Sequence, residues 1–452
     1  MITCVPSPNL RADESRVSRR RFLAGSLAAV GSVALGCSDR ALITDTGWFA
    51  CDLPEPASSG IEHVIVVMME NRSFDHFAGW LPGADGRQAG LGYADAAGVV
   101  HETYPLAPDF QGCGHRDPDH SYWGARVEYN GGACDGWLQV NDVYSIGYYR
   151  REDLPFLGHA IPDWTSFDHY FCATMGPTYP NRFYQHAAQT DRLSNTPDLV
   201  TLPTIWDRLA SRGIRGRYYF GDLPFLALWG QKYLPIGGSL DSFYADCAAG
   251  TLPPVAFVDP PVLGETTGTG ADDHPFNDVR SGEAFLNQIY AAVTGGPAWS
   301  HTVLIINFDE WGGFFDHVPP PVAPVSDADR AAGSTDGLRG FRTPTVLISP
   351  FARRQHTSHV LYDHTSVLRL IEWRWGLPPL TVRDATANNL ACELDFARAD
   401  MEVPVYTVPS VAGAACPAQP TVMTVGSRTR SRAGRAHWTD LRDVARGHGW
   451  PV

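Results

Sequence analysis

Lysine is nearly absent: the 452 residues carry 35 basic side chains, and Lys232 is the only lysine among them. Such an imbalance reflects a compositional habit of the source genome and implies no mechanism. A basic excess is missing too. The net charge of −14 argues against binding nucleic acid or an anionic membrane by bulk electrostatics. No Cys-x-x-Cys pair occurs among the nine cysteines, which speaks against a thiolate zinc site. No Gly-x-Ser-x-Gly elbow occurs, which speaks against a serine esterase or lipase. A Cys/Ser-x-Pro-x-Arg motif of the sulfatase type is also missing, although Thr178-Tyr179-Pro180-Asn181-Arg182 keeps its Pro and Arg spacing with Thr in first place. Internal repeats and the biased compositions of disordered, collagenous or coiled-coil chains are not found.

What is present suits a globular protein: 44% hydrophobic and 19% charged residues, over a length sufficient for one large α/β domain or two ordinary ones. The N-terminus is a targeting segment. Ser18-Arg19-Arg20-Arg21-Phe22-Leu23 is a twin-arginine pattern, followed by a weakly apolar stretch, Leu23 to Gly36, too short for a stable membrane anchor. This predicts a signal peptide over 1–36 and hand-over to the twin-arginine export machinery. Ala34-Leu35-Gly36-Cys37 resembles a lipoprotein box. Lipidation and membrane attachment at Cys37, or ordinary cleavage nearby, are both open, so the expected location is periplasmic, secreted or lipid-anchored to the envelope. Removing residues 1–36 takes away more arginines than acids, making the body more acidic still. The Arg-rich tail around Arg428-Thr429-Arg430-Ser431-Arg432 reads as a solvated surface. In an oxidising compartment some cysteines should pair, and Cys113 with Cys134 is attractive because one loop-rich stretch holds both.

Residues 37–60 read as a polar linker. Three apolar runs without alternation, Val64–Met69, Thr302–Phe308 and Thr345–Ser349, predict parallel strands covered on both faces. Arg217–Phe220 and Val255–Val258 are shorter candidates. Thr204–Ser211, Gly282–Thr294 and Thr365–Trp375 carry apolar residues at helical spacing. The alternation implies an α/β fold with a mostly parallel central sheet flanked by helices. Residues 84–165, rich in Gly, Asp and aromatics, read as an insertion or cap.

Two of the strong strands run directly into polar pairs. The first gives Glu70-Asn71-Arg72-Ser73-Phe74-Asp75-His76, and the second gives Asp309-Glu310-Trp311-Gly312-Gly313-Phe314-Phe315-Asp316-His317. Ligands of open parallel sheets bind beyond the carboxyl ends of strands. Two oxygen-rich pairs at such ends suit one divalent cation such as Mg²⁺, Mn²⁺, Ca²⁺ or Zn²⁺. Taken singly, each pair is equally well explained as a helix cap. A third element, Met175-Gly176-Pro177-Thr178-Tyr179-Pro180-Asn181-Arg182, braces a hydroxyl between prolines. Held beside a cation, Thr178 can lose its proton and attack phosphorus.

Together with Asp273-His274-Pro275 and the extension Val318-Pro319-Pro320, these phrases resemble the bacterial phosphoesterase family of phosphatidylcholine-type phospholipases C and a metal-dependent acid phosphatase, within the alkaline phosphatase-like superfamily. The resemblance spans about Ile61 to Phe396. It implies an alkaline phosphatase-like catalytic domain over 61–396, a C-terminal extension over 397–452, and metal ligation by Glu70, Asn71, Asp309 and Glu310, completed by Thr178. It makes Thr178 the nucleophile of a phosphothreonine intermediate. His120, His274 and His317 become candidates for contacting phosphoryl oxygens or protonating the leaving group. Asn130–Trp137 resembles the family's asparagine–diglycine segment, and Asp363 reads as a helix cap. Trp311 replaces a small or polar residue common in the family and is expected to narrow the pocket. No counterpart of the repeated C-terminal β-domains of long phospholipases follows, which weakens a claim of membrane-phospholipid specificity, whereas the threonine leans towards diester cleavage. The expected substrate is a phosphoester small molecule or phospholipid headgroup. A phospholipase C-like diesterase is slightly preferred, with a phosphomonoesterase and a non-catalytic, ligand-binding envelope lipoprotein as the alternatives.

Overall fold

The structure, a computed structural model, describes residues 51–264, 268–411, 413–416 and 437–452, which fall within one compact unit spanning Thr44–Val452. The twin-arginine segment, Cys37 and the Arg428–Arg432 tail lie outside the described residues.

Eight strands make the central sheet: β1 (His63–Met69), β2 (Thr165–Phe167), β3 (Gly216–Phe220), β4 (Gly237–Ser239), β5 (Val255–Asp259), β6 (Thr302–Phe308), β7 (Val346–Ile348) and β8 (His356–Ser358), in the order β8-β2-β7-β6-β1-β5-β3-β4. β1 lies at the centre, parallel to β6 with Val67 opposite Ile306, and parallel to β5 with Val67 opposite Val258. β5, β3 and β4 continue in parallel. The sheet is therefore α/β and mostly parallel, as the uninterrupted apolar runs imply. One run behaves differently. β7 pairs antiparallel with both β6 and β2. Its residues are buried on both faces regardless of direction, so an apolar run reports burial and not orientation.

Seven helices bear on the site: α1 (Phe74–Ala78), α2 (Tyr122–Tyr129), α3 (Thr178–Ala187), α4 (Ile205–Ser211), α5 (Val279–Gly295), α6 (His364–Trp375) and α7 (His437–Gly447). Their starts follow capping chemistry. Thr204 and Asp207 form a capping box on α4, and Asp363 accepts the Thr365 N–H at 2.8 Å to open α6. Asp363 also binds Arg339 and Arg383, which makes it the hub of a buried ion network as well as a cap.

The 84–165 insertion builds a small core of its own. Trp137, Leu138, Ile146 and Tyr148 pack with Cys172, Met175, Trp311, Phe315 and Phe341. Trp311 is fully buried there and donates from Nε1 to Glu128 Oε2 at 2.9 Å. It braces the cap from within that core. The C-terminal residues are likewise integrated, since Trp438, Leu441, Ala445 and Trp450 join the main core and Trp438 packs 5.5 Å from Tyr179. The expected Cys113–Cys134 bridge is corrected. Cys113 pairs with Cys416 and Cys51 with Cys392, while Cys134 is a free thiol buried in the cap core. A disulfide needs its Cα atoms about 5–6 Å apart. Folding meets that distance between residues 303 positions apart, at 5.3 Å.

Candidate active site

β1, β5 and β6 are adjacent and parallel, so their carboxyl ends open on one edge of the sheet. There β1 delivers Glu70-Asn71, β6 delivers Asp309-Glu310, and β5 ends on Asp259. Glu70, Asn71, Asp309 and Glu310 are all fully buried. Hydrogen bonds lock the ends together: the Asp309 N–H donates to the Met69 carbonyl at 3.0 Å, and the Asn71 N–H donates to Asp309 Oδ1 at 3.2 Å. Asn71 sits at φ +60°, a left-handed conformation that an Asn tolerates better than most side chains. Gly312 presses against it. A Cβ there would lie 2.1 Å from the Asn71 carbonyl oxygen, and the Gly312 N–H donates to Glu310 Oε2 at 2.6 Å.

Thr178 is the first residue of α3 and is fully buried. Its turn is held by Asn181, whose Nδ2 donates to the Gly176 carbonyl at 2.7 Å and whose Oδ1 accepts the Thr174 N–H at 3.0 Å. Pro180 falls in the first helical turn, where the lack of an N–H costs nothing. Thr178 therefore stands at the positive end of a ten-residue helix, which favours negative charge on or beside its oxygen. One turn along the same helix, Arg182 reaches all three strand ends. It donates to Glu70 Oε1 at 2.9 Å, Asp259 Oδ1 at 3.1 Å and Asp309 Oδ2 at 3.2 Å. The guanidinium thus joins the Thr178 helix to the sheet edge.

Two histidines stand on the other side of Glu310. His120 Nε2 lies 3.9 Å from Glu310 Oε1, and His274 Nε2 lies 3.9 Å from Asp117 Oδ2. Both rings donate from Nδ1 to a carbonyl, His120 to Pro118 at 2.8 Å and His274 to Pro275 at 3.0 Å, so Nε2 is the nitrogen turned to the carboxylates in each. The rings meet nearly edge-on, with centroids 6.1 Å apart.

Among the described residues, Asp117, His120 and His274 bring three ligand atoms within 4.8 Å of one another. The expected carboxylates Glu70, Asp309 and Glu310 are not grouped so tightly, because Arg182 stands against Glu70 and Asp309. Three of the expected oxygens nevertheless lack the hydrogen bonds that burial calls for. Thr178 Oγ, Asn71 Oδ1 and Glu310 Oε1 are buried without a hydrogen-bond partner, a costly state that a hard cation would relieve. Burial, Asp309, Glu70 and Asp117 hold Glu310 well above the usual carboxylate range. Burial likewise raises Asp309, with Arg182 opposing. The donor set Glu70, Asn71, Thr178, Asp309 and Glu310 therefore fits a divalent ion.

His317 belongs elsewhere. It donates from its N–H and Nδ1 to Asp75 Oδ2, at 2.9 and 2.5 Å, and lies 3.1 Å from Asp85 Oδ1. Arg342, fully buried, closes this second cluster on Asp75 and Asp316. Among the described residues no hydrogen bond or ion pair ties His317 to Glu310, Thr178 or His120; its bonds to Asp75 join the loop after β6 to α1, and Asp75, Asp316 and His317 bring three ligand atoms within 4.8 Å of one another. Reading the sequence also missed Arg182, Asp259 and Asp117. Arg182 lay inside a quoted motif, and Asp259 follows directly on an apolar run. Asp117 gives no signal of its own beyond lying three residues before His120.

Residues 61–378 match the family described as Phosphoesterase family. Phospholipase C B of Mycobacterium tuberculosis is 32% identical over 84% of this chain and 86% of that protein. Non-specific phospholipase C1 of Arabidopsis thaliana is 29% identical over 74% of this chain and 71% of its own. Non-hemolytic phospholipase C of Pseudomonas aeruginosa is 28% identical over 85% of this chain and 64% of its own.

Proposed function

The chain belongs to the Phosphoesterase family and is a phosphoric ester hydrolase of the phospholipase C kind, and from that premise we propose that it is a metal-dependent phosphodiesterase acting through a phosphothreonine at Thr178. The observation that carries the reading is the trio of buried oxygens on Thr178, Asn71 and Glu310 that no hydrogen bond satisfies, beside strand ends that Arg182 ties to the Thr178 helix. Glu70, Asn71, Thr178, Asp309 and Glu310 would hold the divalent ion. When bound, it neutralises phosphoryl charge and lowers the proton affinity of the Thr178 hydroxyl.

Thr178 Oγ, its proton released to water and taken back when the phosphothreonine is hydrolysed, attacks phosphorus as the bond to the leaving alcohol breaks, from a position fixed by the Asn181 clamp and two prolines. The leaving alcohol takes a proton from an imidazolium, for which the Nε2 atoms of His120 and His274 are placed at the site's edge. Water then hydrolyses the phosphothreonine, with the same imidazole pair, now neutral, accepting its proton. Phosphoryl charge is met throughout by the N-terminus of α3. The substrate proposed is a phosphodiester with a small headgroup, such as a phospholipid. Two disulfides fit an oxidising compartment and support the export predicted from the N-terminus.

Purified mature protein should hydrolyse p-nitrophenyl phosphorylcholine faster than p-nitrophenyl phosphate, and chelation should abolish both activities until a divalent ion is restored. Preference for the monoester would replace the diesterase reading with the phosphatase one. Full activity after exhaustive chelation would remove the cation.

A further inference from the structure

We infer that the C-terminal segment carrying Cys416 is a strap that sets the spacing of His120 and His274, so that the Cys113–Cys416 pair are positioning residues for the hydrolysis. This rests on the functional reading above. The two imidazoles come from separate pieces of chain. His120 ends the stretch 110–120, and His274 sits in the loop 268–277. Neither piece is regular structure, and the loop holds two non-glycine residues with left-handed backbone, Asp273 at φ +76° and Phe276 at φ +80°. Conformations of this kind persist only where neighbours impose them.

The neighbours that impose them converge on one place. The Phe276 N–H donates to the Gln111 carbonyl at 2.7 Å, and the Val279 N–H to the Phe110 carbonyl at 3.0 Å. Gln111 Nε2 donates to the carbonyls of Phe276 at 3.2 Å, Gly268 at 3.4 Å and Ala414 at 2.8 Å. One amide thus stitches the His120 piece, the His274 loop and the C-terminal segment. Packing is tight enough that a Cβ on Gly268 would meet the Phe276 oxygen at 2.4 Å and the Ala414 oxygen at 2.6 Å, and one on Gly413 would meet the Gly268 oxygen at 2.6 Å. Farther along, Ser281 Oγ donates to the Val411 carbonyl at 3.4 Å. The disulfide then fixes this segment covalently to Cys113, on the piece that bears Asp117 and His120. Beside it, the hydrogen bonds described between the strap and these pieces run to backbone carbonyls, each worth about 1 kcal/mol net. The second disulfide, Cys51–Cys392, joins neither the 110–120 piece nor the 268–277 loop and serves as the internal control.

Reduction by a dithiol such as dithiothreitol tests the strap directly. Its thiolate attacks the bridge to give a mixed disulfide, which the second thiol resolves. Two electrons pass to the protein, two cysteine thiols form, and the reagent leaves as its cyclic disulfide. The experiment compares the mature protein, the double variant Cys113→Ser/Cys416→Ser and the control Cys51→Ser/Cys392→Ser with p-nitrophenyl phosphorylcholine. Each is followed by kcat, KM, the pH profile of kcat, and hydrogen exchange. The strap predicts a fall in kcat of about tenfold or more, the cost of a misplaced catalytic group, with a smaller change in KM. The imidazole limb of the pH profile should move, and exchange should accelerate in peptides covering 110–120 and 268–277. Reducing the control variant, whose remaining bridge is Cys113–Cys416, should produce the same changes and reverse on reoxidation, which keeps the test valid if the Cys113→Ser/Cys416→Ser variant folds poorly. An unchanged kcat, a profile merely scaled down with its limbs in place, or equal effects in the control would overturn the inference. Wild-type protein inert towards the reporter would instead overturn the functional reading, leaving exchange to judge the strap.

Discussion

Replacing Arg182 by Met should be among the most damaging single changes outside the reacting groups. The side chain is 2% exposed and donates to three carboxylates, of which Glu70 and Asp309 are fully buried. Burial opposes its charge, yet Asp259, Glu70 and Asp309 outweigh this and raise its pKa further. Removing one member of a buried ion pair costs about 3–5 kcal/mol, since the remaining charge stays desolvated and unpaired. Here three partners lose their cation, so the upper part of that range is expected. That is a third or more of a typical total stability of about 5–15 kcal/mol. Urea unfolding followed by tryptophan fluorescence should show a lower midpoint with a similar slope. Arg182→Lys should recover only part of the loss, because an ammonium keeps the charge and not the three-way fork. Added Mg²⁺ or Mn²⁺ should stabilise Arg182→Met more than wild type, as the freed carboxylates attract a cation. A loss below about 1 kcal/mol would refute the claim that the guanidinium keys the three strand ends.

His317 should matter for pH-dependent stability more than for turnover. Burial lowers its pKa, but the bond to Asp75 and the charges of Asp75 and Asp316 overcome this and leave it above the ordinary imidazole value. A raised pKa stabilises the fold fully below about pH 6.5, and the benefit disappears as pH climbs through the folded value. Wild type and His317→Asn should therefore differ most near pH 5.5 and converge by about pH 9 in urea midpoints; the reverse trend would count against the Asp75 pairing. Gly312→Ala should lower kcat by roughly tenfold or more while leaving far-UV circular dichroism intact, because its methyl displaces Asn71. Wild-type kcat in that variant would show that Asn71 need not stay where it is.

Much of this was legible in the chain. The runs at Val64–Met69 and Thr302–Phe308 are apolar throughout because both faces of a central parallel strand are covered, and the polar pairs begin where the strands end. Capping at Asp363 is local chemistry and was readable from neighbouring residues alone. What stayed hidden depends on which strands become neighbours. Asp259 acquires meaning only once β5 lies beside β1, and Arg182 only once α3 crosses both. Cysteine pairing followed the chain's return and not sequence proximity. The Asp-His after β6 looked like a twin of the one after β1, yet the loop carries His317 back onto Asp75 and Arg342. His120, which no strand announces, takes the place beside Glu310.

The central claim is that Thr178 carries the phosphoryl group. Mixing enzyme with diester substrate, quenching in acid within the first turnovers and sequencing the peptides by mass spectrometry tests it most directly. The account predicts phosphate on Thr178 and on no other residue, with neither label nor turnover in Thr178→Ala. Turnover at wild-type rate in that variant, or phosphate trapped on a histidine, would contradict it.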